Sequence, residues 1–430
     1  MRDRSRVEPT ELPMWPFTLL FVGFPVWWAL GLSAFAPVIV AVPMLVLLVV
    51  RRRVRMPRSF ALWLLFVLWA GAAAIELDSS LRMVGFAVRL SAYVAAAIVF
   101  LYVYNCSERA LPRRRALLAL VFFFAFVVVG GWLGVLVPHG HLTTPAEKLL
   151  PGSIVSNSYV HDLVHPPFAE VQQPYGSPRT FSRPSAPFAY TNGWGCNMAL
   201  LVPLSAAALS ATRSRRVRVV IIGIMALAVV PALATLNRGM FLALAVGTTY
   251  ATLRLAWRGR VVPLVSVVGA VILGVSAASA TGVFASLQER LHYSETNTGR
   301  QAVYREAFDG ALASPLLGNG APRPSQTLDI SVGTQGQIWN VMFSYGFVAL
   351  ALFVGWFALA AWTARRLTGP GGVWIGACLT VAVVSFAYYG YDGPQLAVAM
   401  TATALAMRPP DSPSTETSAA RMDERVRGPV

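Results

Sequence analysis

Long apolar runs, separated by short basic clusters, set the pattern of this chain. A helix needs about 20 apolar residues to cross the hydrocarbon core of a bilayer. Runs of that kind cover 15–32, 34–50, 59–76, 84–104, 116–137, 186–212, 219–235, 239–256, 261–283, 339–362, 372–389 and 394–407. The first two and the last two are short and closely spaced. Inside lipid a helix satisfies its own backbone hydrogen bonds, whereas an open strand does not. The pattern therefore predicts an all-α integral membrane protein with about twelve transmembrane helices.

The runs divide the chain into a tail 1–14, five helices in 15–137, a loop 138–185, four helices in 186–283, a loop 284–338, three helices in 339–407 and a tail 408–430. Arginines supply the orientation. Arg51, Arg52, Arg53 and Arg55 follow the second run, and Arg113, Arg114 and Arg115 follow the fourth. Arg213, Arg215, Arg216 and Arg218 follow the sixth, Arg258 and Arg260 the eighth, and Arg365 and Arg366 the tenth. Every cluster lies after an even-numbered run, so one cytoplasmic side takes them all. Both termini then lie in the cytoplasm of a bacterial plasma membrane, and the two long loops are extracytoplasmic. The basic start of the chain reads as a cytoplasmic tail, because no convincing small-residue cleavage site follows it. The polar tail 408–430 is expected to be disordered.

Composition agrees. The chain is 56% hydrophobic and only 13% charged, too little charge to cover soluble domains of 430 residues. A net charge of +16 would suggest nucleic acid in a soluble protein. Here the arginines flank apolar runs, so no nucleic-acid partner is expected and membrane lipids are. Cys106, Cys196 and Cys378 have no metal-type spacing, and no disulfide is expected.

The two extracytoplasmic loops hold all five histidines and Arg179, Arg183, Arg290, Arg300, Arg305 and Arg323, against the insertion bias. Such a face suits an anionic ligand such as a phosphate. His139 with His141, or His161 with His165, could bind metal, but separate solvated histidines are the expectation and no metal is assigned. Arg82 and Arg89 share a face of the fourth helix, with Glu76 and Asp78 as natural partners. An arginine at the bilayer centre costs roughly 2.5–3.5 kcal/mol, so Arg89 should face the bundle or a watery cavity. Residues 299–313 read as a helix on the membrane surface, with Tyr304, Phe308, Ala311 and Leu312 as its apolar stripe. Other short surface helices are expected in these loops.

Four stretches together resemble the O-antigen ligase and O-antigen polymerase family. In 183–204, Arg183, Phe188 and Asn192 match an arginine–Phe–Pro-Asn segment, with Thr191 in place of the proline. In 236–244, Arg238 and Gly239 match a Ser-Arg-Gly segment, with Asn237 in place of the serine. In 300–320, Arg300, Tyr304, Pro315, Leu316, Gly318 and Gly320 match. In 334–350, Gly346 matches, while Gln335 stands where the family carries histidine and Gly336 where it carries asparagine.

The resemblance implies a metal-independent membrane glycosyltransferase without a cofactor. It would move a glycan from a polyprenyl-pyrophosphate donor to a glycan or lipid acceptor on the outer face. Arg238 and Arg300, with Glu76, Asp78 and Gln335, become the candidates for catalysis; Arg89, Arg183, Asn192, Tyr304 and Arg305 become candidates for substrate binding. Arginine suits pyrophosphate because its planar fork pairs with two oxygens and stays charged. The acceptor base could be Glu76, Asp78, Asp162, Glu170 or Asp309. A glutamine is no general base at neutral pH, so Gln335 favours a polymerase-like role over a ligase. The rival reading is a transporter or flippase for a lipid-linked glycan, which should show two related halves. No such repeat is visible in the sequence.

Overall fold

A computed structural model describes residues 11–51, 53–173, 180–280, 296–325, 331–369, 371–391 and 393–409. The described residues are mostly helical, with two small two-stranded sheets among them. Seven of the described helices are long and apolar enough to cross a membrane: Arg58–Glu76, Arg82–Asn105, Arg113–Leu136, Thr191–Ala211, Arg215–Ala234, Arg238–Trp257 and Gln337–Ala364. Shorter apolar helices include Ala36–Val50, Gly372–Ser385 and Pro394–Met407. The first apolar run forms two short helices, Trp15–Phe21 and Phe24–Leu30. Pro25 supplies no N–H to continue the first into the second. The expected tails lie largely outside the described residues, as do Arg179, Arg290 and His292.

Burial separates a centre from a rim. Thr191–Ala211, Gly372–Ser385 and Pro394–Met407 are the most enclosed helices, each buried along most of its length. Small side chains let these three helices approach closely, as in membrane bundles generally. Val42, Leu68, Ile75, Val84, Leu136, Val219, Leu227, Leu253, Val262 and Leu273 are exposed around the outside. An apolar surface that extensive needs a lipid solvent. This is a membrane protein.

The arginine clusters gather at one end of the bundle and donate to carbonyls at helix ends and in the adjoining turns. Arg51 donates to the Asn105 carbonyl at 2.6 Å, and Arg113 donates to Leu405 at 2.9 Å. Arg254 donates to Arg365 and Arg258 to Leu367. Arg408 donates to Leu111 and pairs with Glu108 at 2.5 Å. Cations at helix C-termini complement both the orphan carbonyls and the macrodipole.

At the opposite end the structure departs from the simple pattern of runs. Gln337–Ala364 reads as one apolar run but is interrupted at Gly346, with φ 79° and ψ 179°. A broken helix at membrane depth must find substitute hydrogen bonds. The segment after the Thr296–Ala313 helix supplies them. Phe347 N–H donates to the Pro315 carbonyl at 2.9 Å, and Asn319 N–H donates to Phe343 at 2.8 Å. The Asn319 amide donates to Phe343 and Gly310, both at 3.1 Å, and Trp69 donates to Leu316 at 2.8 Å. Arg82 pins the same segment from the side, donating to Asn319 and Ala321. Asn319→Ala is expected to lower stability by about 0.5–1.5 kcal/mol, because it removes the side-chain hydrogen bonds to Gly310 and Phe343 while the Asn319 N–H still serves the Phe343 carbonyl. Thermal unfolding in detergent measures it.

The Thr296–Ala313 helix packs on Gln337–Ala364 through Val303, Ala307 and Ala311, which are buried. Of the expected apolar stripe, Ala311 is on this buried face, while Phe308 and Leu312 are exposed on the outside. The helix therefore has two apolar faces, one for the bundle and one for lipid. All three cysteines are buried and form no disulfide.

Candidate functional site

A turn between the last two helices organises the end of the bundle away from the arginine clusters. Its sequence, FAYYGY at 386–391, is rich in tyrosine. Tyr389 Oη donates to Asn237 Oδ1 at 2.7 Å. Asn237 Oδ1 also caps the Arg238–Trp257 helix by accepting from Met240 N–H at 3.3 Å. The same side chain donates to the Thr191 carbonyl at 3.3 Å and Asn192 Oδ1 at 3.4 Å. Asn237 thus ties the starts of two helices to the turn, and Arg238 opens its helix exposed beside it. Gly239 lets the Tyr388 ring approach, since a Cβ there would lie 2.9 Å from it. A helix N-terminus with an exposed arginine favours an anion.

Arg183 joins this group from a short strand. Ala169–Gln172 pairs antiparallel with Phe181–Pro184, placing Glu170 opposite Arg183. The buried Arg183 donates to the Thr235 carbonyl at 2.9 Å and to Glu170 at 3.2 Å. Its own carbonyl accepts from Thr191 Oγ1 at 3.1 Å. Arg183 therefore links the loop, the turn before Asn237 and the start of Thr191–Ala211. Asn192 is exposed in the first turn of that helix.

The Gln335 stretch meets the same tyrosine turn from its other side. Gln337 N–H donates to the Tyr389 carbonyl and Gln337 Oε1 accepts from Tyr391 N–H, each at 2.8 Å. Gln337 Nε2 donates to Tyr93 Oη at 2.9 Å. Gln335 itself is half-buried, with its amide 3.4 Å from Thr334 Oγ1. Tyr304 Oη reaches the Gln335 carbonyl at 3.4 Å, and the Tyr304 ring stacks on Trp339 with centroids 4.3 Å apart. Trp339 Nε1 in turn donates to the Ala387 carbonyl.

A groove of about 370 Å³ opens beside this stack, lined by Gln301, Tyr304, Arg305, Phe308 and Trp339. A neighbouring groove of about 520 Å³ is lined in part by Arg305, Glu306, Asp309 and Arg323. Arg305 borders both. Arg300 lies one turn before Tyr304 in the same helix; its side chain lies outside the described residues.

The acidic candidates are distributed differently from the sequence expectation. Of the two arginines that the sequence offered, Arg82 is the one that pairs with Asp78, at 2.6 Å. That hydrogen bond holds the exposed Asp78 carboxyl below the usual carboxylate range. Such a group anchors the Arg82 lock better than it accepts a proton. Glu76 is exposed nearby. Glu170 is engaged with Arg183, and Asp162 accepts from Tyr190 Oη at 2.8 Å. Arg89 donates to the Gly85 carbonyl at 3.2 Å and stands one turn from Tyr93, the partner of Gln337.

His141, His161 and His165 lie together, which corrects for these three the expectation of separate solvated histidines. His141 and His165 stack with ring centroids 4.3 Å apart, and His161 lies 4.9 Å from His165. His165 Nδ1 meets Glu147 Oε2 at 2.8 Å.

Sequence reasoning missed Asn237, Gln337, Tyr388, Tyr389 and Tyr391. The available signal was three tyrosines within four residues at the end of an apolar run. No family model matches the chain, and no curated protein or solved structure matches it either.

Proposed function

We propose that this chain is a glycan transferase of the O-antigen ligase or polymerase type in a bacterial plasma membrane, with twelve spans and both termini cytoplasmic. One observation carries the reading. Arg183, Asn192, Asn237–Arg238 and the Gln335–Gln337 stretch meet around one tyrosine turn, and Tyr304 packs against them through Trp339. This meeting point lies opposite the arginine clusters, which the positive-inside rule assigns to the cytoplasm.

The proposed donor is a glycan on polyprenyl pyrophosphate, held with its lipid between helices. Arg238, with Arg89 and Arg300 near the same end, would bind the pyrophosphate and stabilise charge as it departs. Arg183 would position the start of Thr191–Ala211, since it donates to the Thr235 carbonyl and to Glu170 while its own carbonyl accepts from Thr191 Oγ1. The groove beside Tyr304, Arg305 and Trp339 offers an aromatic edge and hydrogen-bonding groups to an acceptor glycan.

In the transfer, the acceptor oxygen bonds to the anomeric carbon. The bond from that carbon to the phosphate oxygen breaks, and its electron pair leaves with the lipid pyrophosphate. The hydroxyl proton passes to a carboxylate or to water. Asp309, which lines the neighbouring groove, or the exposed Glu76 would receive it. The donor is already activated, so the step as drawn needs no nucleotide or metal.

Deleting the gene and analysing lipid-linked glycans tests the proposal. Accumulation of a single lipid-linked repeat unit would support a polymerase. Finished polymer retained on lipid would support a ligase. Unchanged surface glycan and unchanged lipid intermediates would refute both.

A further inference from the structure

We propose that Glu147, His161 and His165 form a binding site for a zinc-class divalent ion, next to but separate from the transfer site. One ligand atom from each lies within 4.8 Å of the others. They come from two helices of the 138–185 segment. Pro145–Leu149 carries Glu147, and Ser158–Val164 carries His161 and leads directly into His165. The helical turn continues through His165, whose N–H donates to the His161 carbonyl at 2.7 Å. Spacing of four therefore puts both imidazoles on one face, the arrangement found in helical zinc sites.

The scaffold around them is built. Thr144 Oγ1 accepts from Glu147 N–H at 3.3 Å and donates to the Val164 carbonyl, so one buried hydroxyl fixes both helices. Asp162 lies between His161, at 3.8 Å, and Tyr190 Oη, at 2.8 Å. Tyr190 precedes the Thr191–Ala211 helix, so the cluster is joined to the transfer site through one hydrogen bond.

An ion pair with Glu147 needs only one imidazole, yet three rings share this patch once His141 is included. Two nitrogens and a carboxylate oxygen suit Zn²⁺ better than Mg²⁺ or Ca²⁺, which prefer all-oxygen shells. Ligand bonds of about 2.0–2.2 Å need the three atoms drawn together. His161 can swing inward because its side chain is 45% exposed. His141 or water would take the fourth position. The ion would clamp the 141–165 segment over the start of the Thr191–Ala211 helix.

The test uses the full chain, purified in detergent without a histidine tag, stripped with EDTA and titrated with ZnCl₂ or CoCl₂. The expected result is one tightly held equivalent of Zn²⁺, a rise in unfolding temperature and the visible absorption of tetrahedral Co²⁺. His161→Ala and His161→Ala/His165→Ala should lose all three signals, and His139→Ala should keep them. His161→Ala guards against misfolding, since His165 holds the contact to Glu147. Absence of stoichiometric binding by the native chain would overturn the site, as would full binding by the double variant. Glycan transfer is not the readout, so the site stands or falls independently of the proposed activity.

Discussion

Arg238→Lys is expected to lower glycan transfer by about 10²–10³-fold, the usual loss when one preorganised donor to a developing negative charge is removed. Arg238 is the first residue of its helix and is exposed, and its neighbour Asn237 makes the cap. The substitution therefore leaves the Asn237 network intact. Lysine keeps the charge but loses the planar fork that pairs with two phosphate oxygens. Protein yield and unfolding temperature should match the native chain while lipid-linked donor accumulates. Near-native transfer by the lysine variant would remove Arg238 from the chemistry. Asn237→Ala should instead reduce activity and stability together, because it strands Tyr389 Oη and the helix start.

Gly346→Ala should unfold or strongly destabilise the protein. The backbone there has φ 79°, a conformation that strains any side chain by roughly 1–3 kcal/mol. A Cβ would also lie 2.3 Å from the Leu316 carbonyl oxygen. Moving that oxygen breaks the contact with Trp69 and disturbs the Pro315–Phe347 hydrogen bond. The combined cost should exceed about 4 kcal/mol, the range reserved for a specific structural fault. Gly355→Ala is the control: nothing lies within 4 Å of a Cβ placed there. Yields and unfolding temperatures of the two variants should differ sharply, and equal values would show that the helix break is not needed.

That contrast shows why part of the fold was legible in sequence and part was not. Hydropathy is a local signal, so helices such as Arg113–Leu136 and Thr191–Ala211 fall where apolar runs predict them. Gly346 and Gly355 look alike in an apolar run, and only the packing of Leu316 distinguishes them. Tyr388 and Tyr389 were absorbed into an expected span because tyrosine reads as apolar, whereas the helix ends at Ser385.

Charged groups followed the same division. The spacing of Asp78 and Arg82 permits an ion pair, but the sequence offered Arg89 as an equal partner. The Arg82 contacts with Asn319 and Ala321, more than 200 residues away, single out Arg82 as the lock. His161 and His165 were legible as a possible metal pair, four residues apart. Glu147 joins them only through tertiary packing. The sequence also singled out Gln335, while the neighbouring Gln337 is the buried residue that connects Tyr93, Tyr389 and Tyr391.

Release of polyprenyl pyrophosphate by purified protein in liposomes tests the central claim most directly. The liposomes would contain a lipid-linked glycan repeat unit and a matching acceptor. The native chain should release lipid pyrophosphate in step with formation of a longer or transferred glycan, and Arg238→Lys should release little. Movement of intact donor across the bilayer, with no pyrophosphate released, would contradict a transferase and identify a transporter.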